Sequence, residues 1–246
     1  MAFIAFAAYD PASVSMYHVL LRGLQRPVGH TENMSALGYL EPGSQGRLNL
    51  TARPLPPLQF EESFFDRTKT SKLERERTFP SVFLGLAGKT TIDFMGTRHL
   101  PLDLSDCKQA MVLIEGSLRD RQRLYAPLQL RAMEGDTLSD ASLIASATMH
   151  FWKLYGMSAE LAFKRVVNEY CFGTFLIVMI SGHSGRKVFI ANRGKPFWVG
   201  KNGKMVISAT DAACLEGVPP KSRKEIFADR IVTMSTDLSY DIQKIA

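Results

Sequence analysis

The sequence contains few of the residue patterns that mark a metal centre, a disulfide framework or a nucleotide loop. Its three cysteines, Cys107, Cys171 and Cys214, are widely spaced and form no CxxC pair, so neither a disulfide scaffold nor a zinc site is indicated. Its five histidines show no HxH or HExxH spacing, and the GxxxxGK[ST] spacing of a phosphate-binding loop is absent. We therefore expect no metal and no bound cofactor.

Long apolar runs and a secretory leader are missing as well. The longest apolar stretch, residues 172–180, falls far below the roughly 20 residues that a membrane-spanning helix needs. The apolar start of the chain, residues 1–9, lacks a basic region and a cleavage pattern. Together with the absence of a cysteine framework, these features predict a soluble protein of an intracellular, reducing compartment, without a membrane partner.

What the sequence does contain is the composition of an ordinary globular protein. It has 246 residues, of which 46% are apolar and 22% are charged. No strong linker, internal repeat or low-complexity segment divides it. We therefore expect a single domain over residues 1–246, with an irregular charged insertion around residues 53–80.

The apolar patterns come in blocks of strands and helices. Such blocks, with short strands and glycine-containing turns at the end, favour an α+β fold in which helices pack outside antiparallel sheets. The strands from residue 172 onward suggest a meander, with Gly194 and Pro196 in a turn between adjacent strands. In the last predicted helix, Leu161, Val166 and Tyr170 are expected on one side. The predicted helices are 14–26, 118–131, 139–155 and 158–170, and the predicted strands are 2–8, 35–40, 46–51, 82–87, 110–115, 172–180, 187–192, 196–200 and 205–209.

Several segments share their residue types and their order with one enzyme family. They are SDASLIA at 139–145, FGTFLIV at 172–178, VFIANRGKPF at 188–197 and VISATD at 206–211. Upstream, MVLIEG at 111–116 and the opening MAFIAF extend the match. In this order the segments resemble the class II glutamine amidotransferases, and most of all the glutaminase domain of glucosamine-6-phosphate synthase. The resemblance covers nearly the whole chain and is strongest from residue 139 to residue 211.

That resemblance implies a fold and a set of site positions. The fold would be the four-layer αββα sandwich of N-terminal nucleophile hydrolases, in which two antiparallel sheets are flanked by helices. Asp140 corresponds to the aspartate that binds the α-amino group of glutamine. Gly116 and Glu115 correspond to the glycine and the asparagine of the oxyanion hole. Ala2 corresponds to the nucleophilic cysteine that follows the initiator methionine.

The chain departs from the family at three positions that catalysis requires. Ala2 has a methyl group where the family has a thiol beside a free α-amine. Glu115 has a carboxylate where the family has an amide that donates to the oxyanion, and the loss of one such donor costs ~10²–10³ in rate. Residues 30–35 contain no arginine that could bind the carboxylate of the substrate. These departures predict a degenerate site without catalytic residues.

The retained positions also have plainer interpretations. Asp140 stands at a predicted helix start, where an aspartate commonly caps the helix. Gly116 ends a predicted strand, where a glycine gives the backbone conformational freedom.

Basic residues are concentrated in the C-terminal strands, and the formal net charge of the chain is +6. Such a concentration suits a polyanion, such as a nucleic-acid backbone, or an acidic protein partner. The alternative is that these side chains only solvate the surface. The stretch shows no aromatic interleaving of the kind that a base-stacking platform needs. The residues concerned are Arg186, Lys187, Arg193, Lys195, Lys201 and Lys204.

The function that these observations favour is that of a catalytically inactive glutamine amidotransferase-like protein. It would serve as a structural or interaction subunit of a larger assembly, with other protein subunits as its partners, and would not be an enzyme. Two alternatives stay open. One is an active class II glutaminase with another nucleophile, and the other is a ligand-sensing pseudoenzyme in which Asp140 binds an amine.

Overall fold

A computed structural model describes the sheets of the chain and the helices beside them. Nearly all of the predicted charged insertion at 53–80 lies outside the described residues, as do the predicted helix at 14–26, Cys107 and Arg186. The described residues are 2–8, 34–40, 47–53, 59, 82–88, 91–92, 98–99, 102–104, 109–182, 187–215 and 217–246.

Fifteen strands lie in the described residues, and all nine predicted strands are among them, with ends that differ by at most three residues. The strands are β1 Ala2–Ala8, β2 Met34–Leu40, β3 Leu48–Arg53, β4 Val82–Gly88, β5 Thr91–Ile92, β6 Arg98–His99, β7 Leu102–Leu104, β8 Ala110–Leu118, β9 Gly173–Ser181, β10 Lys187–Arg193, β11 Phe197–Lys201, β12 Met205–Ala209, β13 Arg223–Ile226, β14 Arg230–Ser235 and β15 Tyr240–Lys244.

The strands form two large antiparallel sheets and one small one. The seven-stranded sheet has the order β13-β11-β12-β1-β4-β2-β3, and the six-stranded sheet has the order β15-β14-β10-β9-β8-β7. A two-stranded sheet consists of β5 and β6. The strand β1 packs across the sandwich against β10 and β14. The predicted α+β sandwich of two antiparallel sheets flanked by helices is confirmed.

Two apolar cores explain why the strands of the six-stranded sheet are apolar on both faces. Alternate residues of a strand point to opposite faces of its sheet. Thus Leu176 and Val178 of β9 lie between the two sheets, with Phe3 of β1. Phe175 and Ile177 of the same strand lie on the other face, under the helices. A sheet that is buried on both faces needs a continuous apolar run in place of an alternating one.

The helices cover the outer face of the six-stranded sheet. They are α1 Tyr125–Leu128, α2 Ala132–Asp136, α3 Asp140–Leu154 and α4 Ala159–Glu169. In α3 and α4, which contact β8 and β10 respectively, the N-caps are Ser139 and Ser158. The buried side of α4 consists of Ala159, Ala162, Phe163, Val166 and Val167. Leu161, expected on the same side as Val166, is instead 58% exposed, because its position falls outside this i, i+3, i+4 pattern.

The helix predicted over residues 118–131 is correct only for residues 121–128. The strand β8 continues to Leu118, and a 3₁₀ turn at Arg121–Leu124 leads into the single turn α1. Pro127 accounts for the break, because its ring lacks an N–H and would clash with the carbonyl group four residues earlier in a longer helix. Gln129 then ends α1 with a left-handed φ of 55°.

The meander predicted from residue 172 onward is also wrong in one respect. The strands β9 and β10 pair with each other, but β11 and β12 belong to the seven-stranded sheet. Gly194 and Pro196 therefore lie in a crossing between the sheets and not in a turn between paired strands. Gly194 has a φ of 72°, and Pro196 has no N–H with which to extend a ladder.

The described residues contain neither a membrane-spanning helix nor a cluster of metal-binding side chains. No helix among them combines the length and the apolar character that a bilayer crossing requires. Within the same ranges, His, Cys, Asp and Glu side chains do not gather in groups of three that could hold a metal ion.

Candidate functional site

The end of β8 and the start of β9 meet in a backbone arrangement that requires glycine on both strands. Gly116 has a φ of 115° and Gly173 a φ of 121°. A Cβ atom on Gly116 would lie 2.2 Å from the carbonyl oxygen of Thr174, and one on Gly173 would lie 2.5 Å from that of Ser117. Both contacts are too close for any side chain. The positive φ of Gly116 agrees with the backbone role expected for it.

Glu115, which precedes this glycine, forms an ion pair with Lys195. The Nζ atom of Lys195 donates to Oε1 of Glu115 at 2.8 Å, and the side chains are 30% and 23% exposed respectively. Lys195 belongs to the crossing between the sheets, 80 positions farther along the chain. The other carboxylate oxygen of Glu115 is buried and has no hydrogen-bond partner within the described part of the chain. The carboxylate of Glu115 thus contacts a cation of its own chain.

Asp140 forms a second ion pair, with Arg121. The Nε atom of Arg121 lies 3.5 Å from Oδ1 of Asp140, without hydrogen-bond geometry. The guanidinium group also donates to the carbonyl oxygens of Gly135, at 3.1 Å, and Leu138. These bonds fix the irregular segment after β8 against the start of α3.

The capping role considered for Asp140 is wrong. Ser139 is the N-cap of α3, because its Oγ accepts from the backbone N–H of Ser142 at 3.0 Å. Asp140 is instead the first residue of the helix. Burial raises its pKa above the usual carboxyl range, although the charge of Arg121 and a hydrogen bond from the backbone of Leu118 act in the opposite direction.

Ala2 lies in the other sheet, as the first residue of β1. Its backbone pairs with Ala87 of β4. The next residue, Phe3, donates its N–H to Oγ1 of Thr210 at 3.2 Å and accepts from the N–H of Thr210 at 3.3 Å. Ala2 therefore stands beside the end of β12, whereas Glu115, Gly116 and Lys195 lie in or beside the six-stranded sheet.

Cys171 is a described thiol whose pKa responds to the charge of Asp140. It is fully buried just before β9. Burial and the charge of Asp140 raise its pKa to about 12, while Arg193 acts in the opposite direction. A thiol with this pKa is almost entirely protonated at neutral pH, so it is a poor nucleophile. Cys214 is buried as well.

The basic residues that the sequence placed together fall into separate settings. Lys187 pairs with Glu160 at 3.0 Å, and Lys195 pairs with Glu115. The guanidinium carbon of Arg193 lies 5.6 Å from the ring centre of Phe172. Lys201 and Lys204 are exposed around the turn between β11 and β12, while Arg186 lies outside the described residues.

Asn192 is a fully buried polar residue that the sequence analysis missed. Its amide nitrogen donates to the carbonyl oxygens of Lys195, at 2.6 Å, and Phe227, at 3.0 Å. Its side-chain oxygen accepts from the N–H of Arg230 at 3.0 Å. These bonds hold the crossing that carries Lys195. A polar residue that ends an otherwise apolar run, two positions before Gly194, was the signal available in the sequence.

The fold matches solved structures along the whole chain. Glutamine phosphoribosylpyrophosphate amidotransferase from B. subtilis, in complex with ADP and GMP, superimposes with a TM-score of 0.67 at 10% sequence identity. A structure of the allosteric regulatory enzyme of purine biosynthesis gives the same TM-score, 0.67, and the same identity, 10%. The chain has the fold of a class II glutamine amidotransferase domain.

The two matched enzymes are longer than this chain, which corresponds to only part of each of them. Each of the two covers 100% of this chain and 49% of the other, so the chain spans about half the length of those enzymes. A glutamine aminotransferase class-II domain protein from Silicibacter pomeroyi matches with a TM-score of 0.50 at 7% identity, over 100% of both chains. At these identities the likeness concerns the fold alone. No protein-family model and no curated protein sequence matches the chain.

Proposed function

We propose that this chain is a catalytically inactive glutamine amidotransferase-like protein that serves as a structural or interaction subunit of a larger assembly. One observation carries the proposal. Two carboxylates at positions of the family's glutamine pocket are paired with cations of this chain, Glu115 with Lys195 and Asp140 with Arg121. Within the fold, the motifs at 139–145 and 206–211 favour kinship with the glutaminase domain of glucosamine-6-phosphate synthase.

The pairing of Asp140 opposes the binding of glutamine. In the family that the sequence resembles, this aspartate receives the α-amino group of the substrate. Here an incoming ammonium group would have to displace Arg121, whose position is fixed by bonds to the carbonyl oxygens of Gly135 and Leu138. The second anchor of the family, an arginine for the substrate carboxylate, has no counterpart at residues 30–35.

The pairing of Glu115 opposes catalysis. A carboxylate accepts hydrogen bonds, and its charge repels a developing oxyanion, so it reverses the electrostatics of an oxyanion hole. Ala2 has neither a thiol nor a hydroxyl group, whatever precedes it in the chain. The nearby thiol of Cys171, with its pKa raised to about 12, does not replace the missing nucleophile.

A retained fold around an unreactive site supports an interaction role, because function resides in sites that are separable from the fold. Large apolar side chains on the surface add to this support. Leu154 is 73% exposed, Tyr155 62% and Phe227 70%. Exposed apolar groups of this size are common at contacts between proteins.

The binding part of the proposal is tested by isothermal titration calorimetry with L-glutamine. Wild-type protein is expected to give no saturable heat up to roughly 10 mM glutamine, well above the usual KM range of enzymes. Saturable binding by the wild type would contradict the proposal. An Arg121→Gln variant serves as the comparison, because any affinity that appears only in this variant would identify Arg121 as the group that blocks Asp140.

The interaction part is tested by native mass spectrometry of the protein isolated from its own cells at its natural abundance. The proposal predicts a complex in which this chain is present in a fixed ratio with another subunit. An isolated monomer under all gentle isolation conditions would contradict this part while leaving the loss of catalysis untouched.

A further inference from the structure

Two arginine guanidinium groups lie over the ring of Phe172, and a third arginine binds this residue through its backbone. The guanidinium carbon of Arg123 lies 4.5 Å from the ring centre of Phe172, and that of Arg193 lies 5.6 Å from the same centre. The backbone N–H of Arg119 donates to the carbonyl oxygen of Phe172 at 2.8 Å. Arg119 and Arg123 follow β8, and Arg193 is the last residue of β10. All three thus contact Phe172, the residue before β9.

The charge of this arginine cluster, which consists of Arg119, Arg123 and Arg193, is only partly balanced. Asp120 lies 3.7 Å from Arg123, and both side chains are more than half exposed. For Arg119 and Arg193, the described ranges contain no ion pair. The ion pairs Glu115–Lys195 and Arg121–Asp140 each have no net charge. Their carboxylates are therefore not available to neutralise the arginine cluster. Like charges that share one small surface repel each other, and a bound anion relieves that repulsion.

Beside the cluster, two hydroxyl groups that can donate hydrogen bonds are exposed, and few side chains shield the backbone. Ser117 and Thr174 face each other across β8 and β9, and both are exposed. Positive-φ glycines surround this pair, at positions 116, 173 and 194. Because glycine has no side chain, the backbone and the two hydroxyl groups stay accessible to a ligand.

The simplest alternative is that the guanidinium groups only cover Phe172. Stacking of one arginine on a ring is common and needs no ligand. It does not explain why two arginines share one ring. It also leaves Arg119 without a role, because this residue binds Phe172 through its backbone N–H and stacks on no ring in the described part of the chain. Stacking also occupies the ring, so the ring is poorly placed to receive a nucleobase. These features together favour an anionic group over a base.

We infer that Arg119, Arg123 and Arg193, with the hydroxyl groups of Ser117 and Thr174, form a binding site for a phosphate group. Guanidinium groups bind phosphate oxygens with paired hydrogen bonds, which makes arginine well suited to this role. The phosphate could belong to a small phosphorylated molecule or to a nucleic-acid backbone. The inference goes beyond the proposed function and is independent of it, since it uses neither Asp140 nor Glu115.

The test is a titration at low ionic strength with two probes, inorganic pyrophosphate and a single-stranded 12-nucleotide RNA. Wild type, Arg193→Gln and Arg119→Gln are compared with Lys204→Gln, which removes the same charge at an exposed turn without a recorded ion pair. Each arginine variant is expected to weaken binding about tenfold, the loss of one charged hydrogen bond. Lys204→Gln is expected to weaken it less than about twofold, through net charge alone.

Two variants are needed because Arg193 also stacks on Phe175, at 5.8 Å, so its loss could disturb the fold. Arg119→Gln removes no recorded stacking contact, and circular dichroism checks that both variants fold. Binding of pyrophosphate that depends on the arginines supports a small phosphorylated ligand, and binding of RNA alone supports a backbone contact. The inference is overturned if neither probe binds, or if Lys204→Gln weakens binding as much as the arginine variants do.

Discussion

The ammonium group of Lys195 contacts the carboxylate of Glu115 at 2.8 Å, although 80 positions separate the two residues. Lys195 reaches this position because the chain crosses from the six-stranded to the seven-stranded sheet there, and because Asn192 binds its carbonyl oxygen at 2.6 Å. The carboxylate of Glu115 is therefore matched by a cation from another part of the fold.

The strength of this ion pair can be measured with a double-mutant cycle. Lys195→Met leaves the half-buried Glu115 without its partner and is expected to lower the free energy of unfolding by about 1–2 kcal/mol. Glu115→Gln in the Lys195→Met background is expected to recover part of this loss, with a coupling of about 1 kcal/mol. Urea unfolding gives the values, and Lys204→Met is the matched control. If Lys195→Met and Lys204→Met lowered the free energy of unfolding equally, the stabilising contribution of the ion pair would be contradicted.

Gly116 is predicted to tolerate no side chain. Gly116→Ala would place a methyl group 2.2 Å from the carbonyl oxygen of Thr174 in a backbone with a φ of 115°. The expected cost is about 3 kcal/mol of unfolding free energy. Gly203→Ala is the control, because nothing lies within 4 Å of an added Cβ there. If thermal unfolding showed the same small change for both variants, the close approach of β8 and β9 would be in doubt.

The sequence was informative where a local pattern decides the structure. The apolar runs placed β1 and β12, and the spacing of apolar residues placed α3 and α4. The sequence was uninformative where a distant partner decides. A glycine and a proline at 194 and 196 suit a hairpin turn as well as a crossing between sheets, so the crossing was missed.

The candidate site shows the same division. The residue types at Ala2, Glu115 and Asp140 follow from the sequence. The cations that pair with the two carboxylates could not be predicted, because Arg121 and Lys195 reach them through tertiary contacts. Basic residues that are adjacent in sequence looked like one patch, but the fold assigns Lys187 to Glu160 and Lys195 to Glu115.

Asp140 is predicted to give the protein a characteristic dependence on pH. Its pKa is raised in the folded state by burial, so the folded protein binds this proton more tightly than the unfolded chain does. The stability that this proton contributes is therefore lost as the pH rises from the ordinary carboxyl value of 3.8 through the folded pKa. The unfolding free energy of wild type minus that of Asp140→Asn should fall over this range.

Asp237 provides a control of opposite sign for that experiment. Hydrogen bonds from the hydroxyl and the backbone of Ser239 lower its pKa. Its contribution is present above the ordinary carboxyl pKa and is lost as the pH falls through the folded pKa, so Asp237→Asn should show the reverse trend. A difference for Asp140→Asn that is flat with pH, or that has the same sign as for Asp237→Asn, would contradict the account of Asp140.

The thiol of Cys171 is predicted to be inert in the folded protein. Its side chain is fully buried and its pKa is raised to about 12, so it offers little thiolate to an alkylating reagent at about pH 8. Iodoacetamide labelling followed by peptide mass spectrometry should leave Cys171 unmodified until urea unfolds the chain. Rapid labelling of Cys171 without unfolding would revive the alternative of an enzyme with an unrecognised nucleophile.

The most direct test of the central claim is the release of ammonia from glutamine. It compares wild type, Ala2→Cys and Ala2→Ser, with the processed N-terminus verified by intact mass. Wild type is expected to match the rate without protein. Ala2→Cys should remain as inactive as Ala2→Ser, because the Glu115 and Asp140 ion pairs persist when the thiol is restored. Ammonia release by wild type at an enzymatic rate would contradict the account outright, and activity in Ala2→Cys alone would show that these ion pairs do not close the site.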